Sequence, residues 1–252
     1  MLLTIALREL RSLFLSPLAW SILGVVMLIV GYIFLGAVEE YARLQGQIAL
    51  MEAAPGITEV VVAPTFGTAA VVLLLVVPLL TMSLIAGERR NATLPLLLAS
   101  PISLSELVVG KYLGVMALLT IQLLLLALLP LSLLLAGTLD FGLLAANLLG
   151  LWLMLAAFAA LGLFMSSLTA QPAVAAVGGF GALLLLWIVD WGGSAMRSDE
   201  GGNLLAWFSL QSHYQALLRG LFDSADLIYY LLFITTFLVL SIRRLDADRL
   251  YH

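Results

Sequence analysis

The chain has no cysteine, which excludes disulfides, thiolate metal ligands and thiol nucleophiles together. Its single lysine, Lys111, lies between Gly110 and Tyr112. A phosphate-cradling loop needs glycine turns followed by lysine and a hydroxyl residue, so that ATP-binding motif is missing. The two histidines, His213 and His252, have no partner at metal-ligand spacing. Neither a serine and histidine pair nor an aspartate pair falls within an apolar stretch, which argues against an intramembrane hydrolase. Charge is scarce throughout: 10% of the 252 residues are charged, against about a quarter in a soluble domain.

Hydrophobic residues make up 63% of the chain and the mean hydropathy is +1.15. A soluble chain of this size needs a polar exterior that these residues do not supply, so lipid must cover most of it. A bilayer core of roughly 30 Å takes about 20 apolar residues per helix. Six stretches qualify, at about 18–38, 64–86, 107–136, 141–168, 172–189 and 227–242, the last two being short. The expected fold is all-α and integral to the membrane, in one domain, since no Gly/Ser linker or internal repeat divides the chain.

Basic residues of short loops stay on the cytoplasmic side. With both termini inside, Arg8, Arg11, Arg89, Arg90, Lys111, Arg243, Arg244 and Arg249 are cytoplasmic, leaving Arg43, Arg197 and Arg219 outside. Glu39, Glu40, Glu52, Glu59, Asp140, Asp190, Asp199, Glu200, Asp223 and Asp226 also fall outside. This asymmetry favours an even number of spans in a bacterial inner membrane. Lys111 at a span entrance and Asp190 at a span exit are the deepest ionisable groups, which disfavours a proton-coupled carrier.

The first seventeen residues have helical periodicity. Thr4, Arg8, Arg11 and Ser12 share one face, and Leu3, Leu7, Leu10 and Phe14 the other, the pattern of a helix lying in the membrane interface. Pro17 then turns the chain into the bilayer. The rival reading is a signal peptide cleaved near Leu35, Gly36 and Ala37, but its apolar run is long for a signal and retention is expected.

Two outer segments, Glu39 to Ala63 and Asp190 to Asp226, are too long for tight turns. In the second, Leu204, Trp207, Leu210, Tyr214, Leu217 and Leu221 recur at steps of three or four, predicting an interfacial or re-entrant helix with Trp207 and Tyr214 at headgroup level. His213 on this segment is expected to pack or hydrogen-bond. Gln122 and Asn147 inside spans are expected to bond between helices, and Pro78 to bend the second span. Ala175 with Gly179, and Gly178 with Ala182, form small-xxx-small pairs that pack helices within the subunit or between two subunits.

The most distinctive stretch runs from Gly87 to Ser103. Leu94, Leu96, Leu97 and Leu98 cluster behind Asn91 or Thr93 as N-cap, Pro95 suits a first helical turn, and Pro101 ends the helix. A short apolar helix beside Glu88, Arg89 and Arg90 is either a docking knob for another protein or a segment resting in the lipid interface.

Here the chain resembles the permeases of ABC-2 type exporters, in which a Gly-Glu turn leads to Thr-Leu-x-Leu-Leu-x-x-Ser-Pro-Ile-Ser, then Glu and Gly-Lys. The matching residues are Glu88, Thr93, Leu94, Leu96, Leu97, Ser100, Pro101, Ile102, Ser103, Glu106, Gly110 and Lys111. His213, Tyr214, Arg219, Gly220, Leu221, Asp223, Tyr229 and Tyr230 are similar to the gliding-motility branch. The resemblance implies two permeases assembled with two ATPase subunits that bind ATP and Mg, and no cofactor in this chain. It places the coupling helix between Glu88 and Pro101, with Glu88, Arg89, Arg90, Thr93, Leu94, Leu96, Leu97, Ser100 and Pro101 as candidate coupling residues. Pro95 stands where relatives often carry an acid. Arg8 and Arg11 belong to the interfacial helix, while Trp207, His213, Tyr214 and Arg219 are candidate contacts for a periplasmic or membrane accessory protein. A non-transporting scaffold subunit of an envelope complex is the alternative; nucleic acid is not an expected partner.

Overall fold

A computed structural model describes residues 1–48, 56–98, 102–135, 139–195 and 209–250. These residues form helices and no strand. In chain order the helices are α1 (Leu2–Leu15), α2 (Pro17–Ile48), a π-helical turn (Thr58–Val62) running into α3 (Ala63–Thr81), α4 (Ala86–Arg90), α5 (Leu94–Leu98), α6 (Leu104–Ser132), α7 (Phe141–Leu168), α8 (Pro172–Ala195), α9 (Leu210–Leu218) and α10 (Ser224–Leu250). Among the described residues five helical segments are long and apolar enough to cross a membrane, and α8 contributes a shorter apolar helix over Pro172–Ile188. Together they account for the six expected stretches in an integral membrane protein.

The bundle is built around α7. Of its apolar window 72% is buried, against 22% for α2 and for α10, and it packs against α3, α6, α8, α9 and α10. Asp140 starts α7 by accepting hydrogen bonds from the Gly142 and Leu143 amides at 2.9 and 3.1 Å, satisfying donors that a helix start leaves open. At α6 the same need is met by a reciprocal capping box: Ser103 Oγ accepts from the Glu106 amide and Glu106 Oε2 accepts from the Ser103 amide, both at 3.2 Å. The Ser103 and Glu106 of the sequence motif therefore serve at least to start a helix. Helices α2 and α10 leave Val25, Leu28, Tyr32, Leu35, Leu232 and Val239 outside the core, as lipid-facing helices require.

Several boundaries differ from the expectation. Helix α2 continues ten residues past the apolar run, where Arg43 pairs with Glu39 at 2.6 Å one turn away; such a pair supports a helix that has left the bilayer. The outer segment expected from Glu39 to Ala63 is thus helical up to Ile48 and again from Thr58. Tyr214, expected at headgroup level, is wholly buried, and its hydroxyl donates to the Phe66 carbonyl at 2.9 Å. Helix α9 packs on α7, α8 and α3, with Leu210, Tyr214 and Leu217 buried and Gln215 exposed. Trp207 lies outside the described residues.

Pro78 does more than bend its helix. It sits one turn before α3 stops at Thr81, and the chain then turns through Met82–Ile85 before α4 begins. In an apolar interior a break of this kind needs partners for its backbone groups. Ser166 of α7 supplies them: its Oγ accepts from the Ile85 and Ala86 amides at 3.0 Å and donates to the Met82 carbonyl at 2.9 Å. The helices meet closely beside it. A Cβ added at Gly162 would lie 2.2 Å from Thr81 Oγ1, and Gly179 of α8 faces Pro78. Ala175 is buried as well, so the Ala175 and Gly179 pair packs within this chain.

Gly162→Ala is expected to lower the unfolding temperature of the purified protein, by an overpacking cost of about 1–3 kcal/mol. Adding Thr81→Ala removes the hydroxyl it strikes and is expected to restore part of the loss. Independent, additive effects of the two substitutions would show that this contact does not limit the α3–α7 approach.

Candidate functional site

Helix α1 carries three stripes. Leu3 and Leu7 are exposed apolar residues, Thr4, Arg8, Arg11 and Ser12 form an exposed polar stripe, and Ile5 and Ala6 are buried. The buried stripe lies on α6, and two glycines permit the approach. A Cβ at Gly110 would lie 2.8 Å from Ile5 Cβ, and one at Gly114 2.7 Å from Glu9 Cβ. Spaced four apart, these glycines form a small-xxx-small groove. The turn into α2 is held by Trp20, whose Nε1 donates to the Phe14 carbonyl at 2.9 Å and whose ring meets Phe14 edge-on at 5.4 Å.

Lys111 lies between the two glycines, with its side chain 3% exposed. An isolated ammonium buried there would be prohibitively costly. Its Nζ donates to Glu9 Oε2 at 3.0 Å and to Glu88 Oε1 at 3.2 Å, so one cation holds α1 and α4 onto α6. Arg8 adds a longer contact to Glu88 at 3.7 Å. Glu88 is also bonded by the hydroxyl of Thr93, which stands at the expected N-cap position immediately before α5. Further along the same end, Arg89 bonds Asp248 near the C-terminus of α10, and Arg244 lies 3.7 Å from that carboxylate.

The segment presented by this network is the link from α4 to α5. It closes in a Schellman arrangement: the Thr93 amide donates to the Glu88 carbonyl at 3.0 Å and the Ala92 amide to Arg89 at 3.1 Å. Ala92 has φ +55°, a left-handed conformation unusual for alanine and held by these bonds. Beyond the turn, α5 divides its leucines. Leu94 is buried in the core, Leu97 is half-buried and Leu96 is 74% exposed. Arg90 and Arg11 are exposed on the same end. Ser100 and Pro101 lie outside the described residues.

The structure therefore brings Arg8, Glu88, Arg89, Thr93 and Leu94 together, and adds Glu9 and Asp248, which the sequence reading passed over. Glu9 had a signal, since it is an acid on the otherwise apolar stripe of Ile5 and Ala6. Asp248 had little beyond being an acid among the basic residues of the C-terminus.

At the opposite end, His213 Nδ1 lies 2.5 Å from Asp226 Oδ1 and its ring stacks on Tyr229 at 4.2 Å. Tyr230 donates to the Leu210 carbonyl at 2.8 Å. His213 and Tyr214 thus join α9 to the bundle. The burial of Tyr214 corrects the expectation that it meets an outer partner: at 0% exposure it has no surface to offer, whereas His213 is partly exposed. Arg219 remains exposed. Among the described residues no cluster suited to a metal ion occurs.

Lys111→Met leaves two carboxylates facing each other and is expected to destabilise the protein by about 3 kcal/mol, with faster proteolysis in α1. Adding Glu9→Gln and Glu88→Gln is expected to recover more than half of that. An unaltered proteolysis pattern in the single variant would mean that the lysine does not hold α1.

No curated protein matches the chain. A family model does, over almost the whole length: residues 3–250 match that of the ABC-2 family transporter protein. The match takes in α1, all the apolar spans and the charged network at their end, and on it the chain belongs to the ABC-2 transporter family, as a multi-pass membrane permease subunit.

Proposed function

We propose that the chain is the permease of an ATP-driven exporter in a bacterial inner membrane, with both termini cytoplasmic, and that the α4–α5 segment receives the movement of a separate ATPase chain. ATP and Mg belong to that partner, and a second permease completes the pathway. The observation carrying this reading is the bonding of Glu88 to Lys111, which in turn bonds Glu9. A push on exposed Leu96 reaches α4 through the closed turn at Ala92, and from there passes to α6 and α1 through charge-assisted bonds. Arg89 and Asp248 extend the same connection to α10. A side chain 74% exposed at the tip and fixed at the base suits a docking knob. Resemblance around His213, Arg219 and Tyr229 supports membership of the gliding-motility branch as part of this proposal.

Leu96→Asp tests the docking role without disturbing the core. Co-purification with the cognate ATPase and permease-stimulated ATP hydrolysis are both expected to fall by about tenfold or more, as for loss of an interface anchor, while the thermal stability of the isolated permease stays unchanged. Full association and stimulation in this variant would remove α5 as the coupling element.

The absence of native cysteine allows a clean topology test. Phe222→Cys, at the end of the bundle remote from Lys111, is expected to react with an impermeant maleimide in intact spheroplasts. Ser12→Cys is expected to react only after permeabilisation. The reverse pattern would invert the orientation and place α5 on the wrong side for an ATPase.

A further inference from the structure

The end of the bundle remote from Lys111 holds a cavity of about 710 Å3, bounded by the start of α3, the start of α7, and α9 with its closing turn from Gln211 to Gly220. It falls within the size range of small-ligand sites. Its polar lining is Glu59, Asp140, Gln211, Gln215 and Arg219, and Leu143 and Leu218 provide apolar wall. An adjoining hollow of about 340 Å3 shares Glu59, Asp140 and Leu143.

The frame of this cavity is fixed. The Asp140 amide donates to buried Thr58 Oγ1 at 3.0 Å, tying the start of α7 to the π-helical turn that carries Glu59. On the other wall, α9 ends in a Schellman motif: the Leu221 amide bonds Ala216 and the Gly220 amide bonds Leu217, both at 3.0 Å. Gly220 has φ +76° and a Cβ there would meet Leu143 at 3.0 Å, so this glycine sets where the preceding Arg219 stands. One oxygen of Asp140 caps α7, and its other oxygen carries no hydrogen bond among the described residues. Among the described residues Glu59 and Arg219 form no salt bridge, although both line one cavity. Gln211 Oε1 is buried without a hydrogen-bond partner, a loss that an occupying donor would make good.

We propose that this cavity binds the headgroup of a phosphoethanolamine lipid, with its ammonium on Glu59 and Asp140 and its phosphate on Arg219. Two carboxylates against one guanidinium favour a ligand with a positive group over a purely anionic one. A primary ammonium has three N–H donors, enough for both carboxylates and Gln211 Oε1. A quaternary ammonium has none, and the lining holds no aromatic ring to receive it by cation–π attraction. The guanidinium fork matches a phosphate. The source is a membrane lipid rather than a free solute because Glu59 and Asp140 stand where the apolar runs of α3 and α7 begin, at headgroup depth, beside apolar wall for the first carbons of a chain.

This inference is independent of the coupling role, since the cavity lies at the other end of the spans. It is tested on the full-length protein in detergent, by thermal shift and native mass spectrometry with dihexanoyl phosphatidylethanolamine, phosphatidylcholine and phosphatidylglycerol, and with phosphoethanolamine alone. Binding of the ethanolamine lipid is expected to exceed that of the other two by about tenfold, the scale of one charge-assisted contact. Glu59→Gln and Arg219→Gln are each expected to weaken it about tenfold at unchanged ligand-free stability, and Arg219→Lys to retain most of it. Equal binding of the three lipids, or unchanged binding in Glu59→Gln together with Arg219→Gln, would overturn the site. Binding of phosphoethanolamine as tight as that of the lipid would overturn the lipid source.

Discussion

One ammonium group, Lys111 Nζ, sits among helices that the sequence keeps far apart. Glu9 is 102 residues before it and Glu88 is 23. The lysine side chain is almost fully buried, and each carboxylate partly so. In this setting no member of the trio is tolerable alone, because an unpaired buried charge costs far more than a hydrogen bond returns. The arrangement is therefore conditional: α6 accepts its lysine only while α1 and α4 are docked. The close seam at Gly110 and Gly114 supplies the contact that brings α1 near enough for the pairing to form.

That condition gives the Lys111 end a mechanical character that its individual contacts lack. Helix α5 is five residues long and α4 is no longer, too short to hold their shape by backbone bonding alone. Their rigidity is borrowed from the Schellman turn, from the Thr93 bond to Glu88, and from the lysine beneath. On the other side of α4 the chain is interrupted between Thr81 and Ala86, where Ser166 takes over the bonding of three backbone groups. The short segment is thus fastened sideways to α6, α1 and α10 as well as along the backbone to the span that precedes it.

Much of this architecture was legible in the sequence, because lipid imposes length and polarity rules that a chain cannot evade. The stretch 141–168 was read with the boundaries it has in the structure, its ends being marked by Asp140 and by the drop in hydropathy after Leu168. The amphipathic start and the turn at Pro17 were legible for the same reason. What periodicity cannot supply is the partner of a given face. Tyr214 and Leu217 lie on an apolar stripe that fits a lipid surface or a protein interior equally well, and α7 receives them. Similarly, the basic residues of the Lys111 end were readable as a topological signal, but Glu9 and Asp248, which neutralise part of that charge, are joined to it only by the fold.

The groove on α6 also bears on how the protein is made. Helix α1 is synthesised before α6, whose surface receives it at Gly110 and Gly114, and Glu9 lies 102 residues ahead of Lys111. Until α6 is made, Glu9 has no cation and the stripe of Ile5 and Ala6 has no helix to cover it. The exposed Leu3 and Leu7 form a separate apolar stripe, of the kind that rests on a lipid surface. The arrival of Lys111 then closes a long-range contact around material already in place. A chain that ends before Lys111 therefore has the helix but lacks the cation that ties Glu9 to α6.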